Sequence, residues 1–308
     1  MTTTGFHEGE RAVQLRAGVR TDATRLEGML RPARLSGGMA TFLSQRDLAF
    51  ITGRDRSGRL WTSPLLGAPG FLDGRNDTLL KTHAAPAEGD PLFDLPAGQE
   101  VGLLVIDFAL RRRVRVNGTL TRSERDGLTI EADQAFGNCP SYIQNRTILV
   151  ADAGADAVAE PAAGTETDGV LTADQRHLIT GADTFILGTT HPTRGADTSH
   201  KGGSPGFVRI DGDTLWWPDY SGNNMFNSMG NIAVDPTASL LFVDFTTGRA
   251  VYLSGTAELR WTALGSPGDD DGTGRQVRFH PERALTATLA LRADHEIGRS
   301  PHNPPLRG

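Results

Sequence analysis

Residues Leu103–Thr119 read LLVIDFALRRRVRVNGT, and residues Leu240–Thr256 read LLFVDFTTGRAVYLSGT. Asp107-Phe108 matches Asp244-Phe245 at an offset of 137 (244 − 107), and Gly118-Thr119 matches Gly255-Thr256 at the same offset. Upstream, Pro69-Gly70-Phe71 matches Pro205-Gly206-Phe207 at 136 (205 − 69). Further upstream, Ala49-Phe50-Ile51 lines up with Thr184-Phe185-Ile186 at 135 (184 − 49). Four blocks in one order with a slowly drifting offset indicate a duplication. A long unit occurring twice points to paired domains or half-barrels, not to a solenoid.

Within each unit the pattern is strand. Leu48–Gly53, Leu60–Leu66 and Thr78–Thr82 are short apolar runs separated by Gly- and Asp-containing turns. Glu100–Asp107 and Arg112–Thr121 read as a long hairpin, with Val114, Val116 and Leu120 alternating against polar neighbours. The second unit follows with Thr184–Thr189, Gly206–Ile210, Thr214–Trp217, Ser239–Asp244 and Arg249–Arg260. A short helix is predicted over Asn223–Val234, stopped by Asp235-Pro236. Ala151–Gly169 has no periodicity and reads as a linker. The expected organisation is a first copy over residues 1–150 with a helical N-terminal extension, a linker over 151–169, and a second copy over 170–308 with a C-terminal tail. The fold class is mainly β with short helices (α+β), built from small closed barrels.

Composition narrows the function classes. Hydrophobic residues are 38% and charged residues 22% of the 308, the balance of a folded soluble chain. The formal net charge of −6 gives nucleic acid or an anionic membrane no general electrostatic reason to bind. No apolar run approaches bilayer length, and MTTTGFHEGERAVQ has no apolar core, so a cytoplasmic protein is expected. Cys139 is the one cysteine, which excludes a disulfide framework and a cysteine-rich metal site. No hydrolase elbow, zinc-protease, P-loop or dinucleotide-binding motif is present, and no metal ligand set is singled out.

Phe6–Val19 (FHEGERAVQLRAGV), Gly137–Arg146 (GNCPSYIQNR) and the two stretches Ser199–Ile210 (SHKGGSPGFVRI) and Trp216–Ile232 (WWPDYSGNNMFNSMGNI) carry a family likeness. They resemble the two-copy branch of the pyridoxamine 5′-phosphate oxidase-like FMN-binding proteins. The resemblance covers the chain to about Leu264. It implies tandem FMN-binding split β-barrel halves, non-covalent FMN, and a homodimer. The basic residues with which the single-barrel oxidases bind pyridoxal phosphate have no match here.

FMN presents a phosphate, a hydroxylated chain and a flat ring, so its site needs cations, polar groups and an aromatic wall. Ser199-His200-Lys201-Gly202 supplies a hydroxyl, an imidazole, an ammonium and an approachable backbone. A cationic Lys201 near the ring would favour the reduced, anionic flavin; the alternative is a polar surface turn. On the expected helix, Asn224, Asn227 and Asn231 share a face and Ser221 or Asn223 caps the N-terminus, which suits a phosphate or simply solvent. Trp216 and Trp217 point to opposite faces of their strand, so at most one, assigned as Trp217, lines the ring. Arg111, Arg113 and Arg115 share a strand face and suit an anion, or form a solvated basic edge. Cys139 reads as a buried filler.

The second unit keeps Ser199-His200-Lys201-Gly202 where the first reads Ser63-Pro64-Leu65-Leu66, and the first keeps Arg111, Arg113 and Arg115 where the second reads Gly248, Ala250 and Tyr252. One composite cofactor site per chain is therefore expected, within a chain or across a dimer. The expected activity is that of an FMN-dependent oxidoreductase passing electrons or hydride from a reduced donor to a small-molecule acceptor, with a deazaflavin as a variant cofactor. The alternative is a non-catalytic protein that binds or stores flavin, haem or another planar ligand. No catalytic residue is singled out, because the flavin needs no protein nucleophile.

Overall fold

The computed structural model describes residues 5–30, 32–150, 167–263, 270–294 and 298–306. Most of the Ala151–Gly169 linker lies outside them. The first copy is a seven-stranded antiparallel sheet of β1 (Leu48–Arg54), β2 (Leu60–Leu66), β3 (Leu72–Gly74), β4 (Leu79–Thr82), β5 (Gln99–Asp107), β6 (Arg112–Glu124) and β7 (Gly127–Asn138). Its strand order is β2-β1-β5-β6-β7-β4-β3. After β8 (Ile148–Val150), the second copy contributes β9 (Thr184–His191), β10 (Gly195–Gly202), β11 (Arg209–Asp211), β12 (Thr214–Pro218), β13 (Thr237–Val243), β14 (Arg249–Trp261) and β15 (Arg275–Thr288). These lie in the order β10-β9-β13-β14-β15-β12-β11, the same order shifted by eight labels. β16 (Leu291–Ala293) pairs with β8 and ties the ends of the two copies together.

The ladders correct the expected alignment by one residue. Ile51 faces Ser63 and Leu103, while Leu187 faces Ser199 and Leu240. The first strands therefore correspond at 136 (187 − 51), not at 135. A half-buried strand would have fixed this register through its alternation. Here β1 is buried at all positions but the last, and β9 throughout, so neither strand has an exposed face to mark the register.

The copies share a core. The apolar cluster of the first sheet continues into Ile186, Leu241 and Tyr252 of the second. Between the sheets runs a buried hydroxyl chain, Ser239–Thr62–Thr52–Thr198, ending on the Gly102 carbonyl, with every step between 2.7 and 2.8 Å. All its members are satisfied, as buried polar groups require. Gly102 permits the approach: a β-carbon there would stand 2.8 Å from Asp197 Cα of the other copy.

Five helices flank the sheets among the described residues: α1 (Glu8–Arg16), α2 (Arg20–Leu26), α3 (Gly38–Ser44), α4 (Ala173–Gly181) and α5 (Asn227–Val234). His7 and Glu10 form a capping box on α1, and Thr172 and Gln175 form one on α4. No helix among the described residues is long and apolar enough to cross a membrane. The N-terminal helix does not stay with the first copy: α1 packs on α5 of the second.

Candidate functional site

A cleft of about 820 Å³, counting its open mouth, lies between the copies. β10 brings Ser199, His200, Lys201 and Gly202 to it, and β12 brings Trp217. β6 of the first copy brings Arg113 and Arg115. Asn223, Asn224 and Asn227 line it from the segment before and at the start of α5. Residues 199–202 and Arg113 belong to one chain, so the described cleft is composite without a second molecule.

Two of the expected residues are elsewhere. Arg111 precedes β6 in a turn with φ of 50°, and its Nη2 donates to the carbonyls of Gly298 and Arg299. The turn takes it off the face that Arg113 and Arg115 share. Asn231 is buried behind the cleft, where its amide donates to Thr189 Oγ1. The helix also starts later than expected. α5 begins at Asn227, with neither Ser221 nor Asn223 as cap; Asn223–Phe226 is a loop in which Asn224 and Phe226 have φ of 60° and 59°. Asn224 therefore shares no helical face with Asn227. Trp216 points away from the cleft, with Arg209 5.0 Å above its ring.

The charges in the cleft are unequal in how they are matched. Arg115 Nη1 donates to both oxygens of Asp197 at 3.0 and 2.9 Å, and its Nη2 donates to Ser199 Oγ at 2.6 Å. Ser228 also donates to Asp197, so this carboxylate is engaged from both copies. Lys201 Nζ stands 3.8 Å from Asp219, which Arg275 shares at 2.8 Å. Burial pushes the Lys201 ammonium below its ordinary value, against the attraction of Asp219. Arg113 has no carboxylate partner among the described residues. Its Nη1 donates to Nδ1 and to the carbonyl of His200 at 3.1 and 3.0 Å. Burial, with the charge of Arg115 beside it, disfavours the Arg113 guanidinium, a strain that an anion would relieve.

That contact sets the state of His200. An arginine has no acceptor, so Nδ1 must accept and Nε2 must carry the ring proton. Burial first, and then Arg113, holds the ring neutral by pushing its pKa well below the ordinary value. His200 Nε2, Trp217 Nε1, Arg113 Nε, Asn138 Nδ2 and the Tyr220 hydroxyl are all buried without a partner among the described residues. Four of these are obligate donors, and the tyrosine can donate. A wall of unpaired donors around a guanidinium with no carboxylate partner among the described residues fits an anionic, acceptor-rich ligand. The Tyr142 and Tyr220 rings, 5.2 Å apart, and Trp217 add a flat apolar wall.

Several lining residues carry no obvious signal of their own. Asn138 ends β7, Cys139 and Tyr142 follow it, and all three line the cleft; Cys139 is half-buried there and is not a core filler. The GNCPSYIQNR stretch marked this region without marking its roles. Outside the cleft, His7, Glu8 and His191 hold ligand-type atoms within 4.8 Å of one another. Each ring's Nδ1 accepts a backbone N–H, from Gly9 and Thr193, so each Nε2 carries the proton and offers no lone pair. We read the group as a hydrogen-bonded cluster, with His191 Nε2 donating to Glu8.

The equivalent position in the first copy is closed by the chain itself. Ser63, counterpart of Ser199, donates to Asp90 at 2.5 Å, and Tyr252, counterpart of Arg115, donates to it at 3.0 Å. Burial raises the Asp90 carboxyl to about 6, although its hydrogen bonds favour the ionised form. The folded chain thus keeps a proton that the unfolded chain has already released between the ordinary carboxylate range and pH 6. Stability from this group falls as pH rises through that window. Asp90→Asn is expected to flatten that part of the pH profile of urea unfolding. Identical profiles would mean that Asp90 titrates normally.

Residues 171–266 match the family model described as pyridoxamine 5′-phosphate oxidase. HupZ from Group A Streptococcus is 16% identical over 39% of this chain and 99% of its own, with a TM-score of 0.31. A putative pyridoxamine 5′-phosphate oxidase from Lactobacillus delbrueckii is 17% identical over 39% of this chain and 97% of its own, with a TM-score of 0.30. A protein described as an F420 reductase is 14% identical over 40% and 98%, with a TM-score of 0.26. A search of the curated proteins finds no match. The second copy is a pyridoxamine 5′-phosphate oxidase-like domain, and the first repeats its sheet. The two copies together form a tandem split barrel.

Proposed function

We propose that the chain is an FMN-binding oxidoreductase that holds one flavin in the cleft between its two copies. The observation that carries this is the wall of unpaired donors around Arg113, on an aromatic surface, in a family whose general property is flavin binding. Arg113 and Lys201 supply positive charge for an anionic cofactor, and neutral His200 supplies a fixed donor. Trp217 and the tyrosines give the ring an apolar wall and exclude water. When bound, the flavin supplies hydride and electron transfer between a reduced donor and a small-molecule acceptor. The homodimer belongs to the proposal and is read by light scattering, although the described cleft takes no residue from a second chain.

The purified protein is expected to be yellow and to release, on heating, one FMN per chain identified by mass. A deazaflavin in the released fraction would change the cofactor and keep the class. Protein that is colourless and takes up no FMN would overturn the reading, and two flavins per chain would overturn the single site. Bleaching by NADH or NADPH with turnover separates the enzyme from a storage protein.

A further inference from the structure

The cleft loop holds a conformation that its own sequence does not favour. Asn tolerates the left-handed region, but Phe226 at φ 59° is strained there and keeps that conformation only where its surroundings impose it. The surroundings come from the opposite end of the chain. Gln14 of α1 donates its amide to the Met225 carbonyl at 3.1 Å, between the two left-handed residues. Asn227 donates its amide to Glu10 Oε1, while Glu10 Oε2 accepts the His7 N–H at 2.8 Å in the capping box of α1. Glu10 and Gln14 stand one turn apart on a single face and are 3% and 2% exposed. Two long polar side chains are seldom buried so fully without a specific partner, and here their partner is the loop.

The helix itself cannot drift. A β-carbon on Gly9 would stand 2.2 Å from the Gly230 carbonyl oxygen, so α1 and α5 cross in backbone contact. That contact fixes the distance over which Glu10 and Gln14 reach. Both residues touch the loop and neither lines the cleft.

We propose that α1 is a clamp for the ligand-binding loop, with Glu10 and Gln14 as positioning residues that hold Met225–Asn227 in the binding conformation. This rests on the reading of the cleft as the flavin site. The clamp makes an otherwise distant N-terminal segment part of the affinity of the second copy. Loss of the two contacts lets residues 222–230 relax toward ordinary backbone, so binding must then reorder them.

The test uses the full chain. In flavin-free protein, Glu10→Ala/Gln14→Ala is expected to raise hydrogen exchange at the 222–230 amides about tenfold or more, leaving the β13 amides unchanged. FMN affinity, read by quenching of flavin fluorescence, is expected to fall about tenfold, as for the loss of two buried hydrogen bonds. Glu10→Gln, which keeps an acceptor and the length, is expected to restore most of both when paired with native Gln14. Gln14→Ala alone gives the same exchange reading if the double variant does not fold. Unchanged exchange at 222–230 overturns the clamp whatever FMN does. Failure of the native chain to bind FMN overturns the flavin reading alone, and the exchange result then decides the clamp.

Discussion

Arg113→Ala is expected to weaken FMN binding by ~10–100-fold, the range for losing a hydrogen bond to a charged group at about 1.5–3 kcal/mol. Arg113 is the cleft cation that lacks a carboxylate partner among the described residues, so its charge is available to a ligand. Its removal also frees His200 Nδ1, and the ring is then no longer held with its proton on the cleft side. Two donors are therefore disturbed by one substitution. The measurement is a fluorescence titration of flavin-free protein, with the thermal midpoint followed alongside. Arg111→Ala is the internal control, because that side chain reaches the carbonyls of Gly298 and Arg299 and not the cleft. Equal affinity in Arg113→Ala and the native chain, with folding intact, would remove β6 from the site.

Asp197→Ala is expected to lower stability by ~3–5 kcal/mol, the cost of leaving a buried ion without its partner. The Arg115 and Asp197 side chains are 8% and 4% exposed, and the pair joins β6 of one copy to β10 of the other. The surface link between the copies, Arg59 to Glu282, has a partner that is 55% exposed and is worth at most about 1 kcal/mol. Urea unfolding of Asp197→Ala and of Glu282→Ala separates these cases. The double variant Asp197→Leu/Arg115→Met is expected to recover much of the loss, since an apolar pair of similar volume needs no counter-charge. A loss under 1 kcal/mol in Asp197→Ala would show that water reaches Arg115.

How much of this was legible in the sequence varies with the kind of contact. The duplication was legible because strands of equal length and turns of equal chemistry recur at a nearly constant spacing. The division of the site was legible too. His200 and Lys201 are retained in the second copy and lost in the first, and Arg113 is retained in the first and lost in the second, which makes sense if a single cleft uses both. The register of β1 and β9 was not, because strands buried on both faces carry no alternation to count. The start of α5 was not, because nothing in Asn223–Phe226 announces two left-handed residues, one of them a phenylalanine, held there by another helix. Arg111 differs for a related reason: it lies one residue before β6, in a turn, where the alternation of Arg113 and Arg115 no longer holds.

The sequence by itself determined the duplicated pattern of strands and several of the residues that line the cleft, His200, Lys201, Arg113 and Trp217 among them. Those follow from local patterns, which periodicity and turn chemistry record along the chain. Only the tertiary structure decided that the two half-sites meet within one chain, that Asp90 closes the second position, and that α1 crosses the chain to hold α5. Such outcomes depend on contacts between residues as far apart as Gln14 and Met225, made where two glycines let backbones touch and a shared core leaves one way to close.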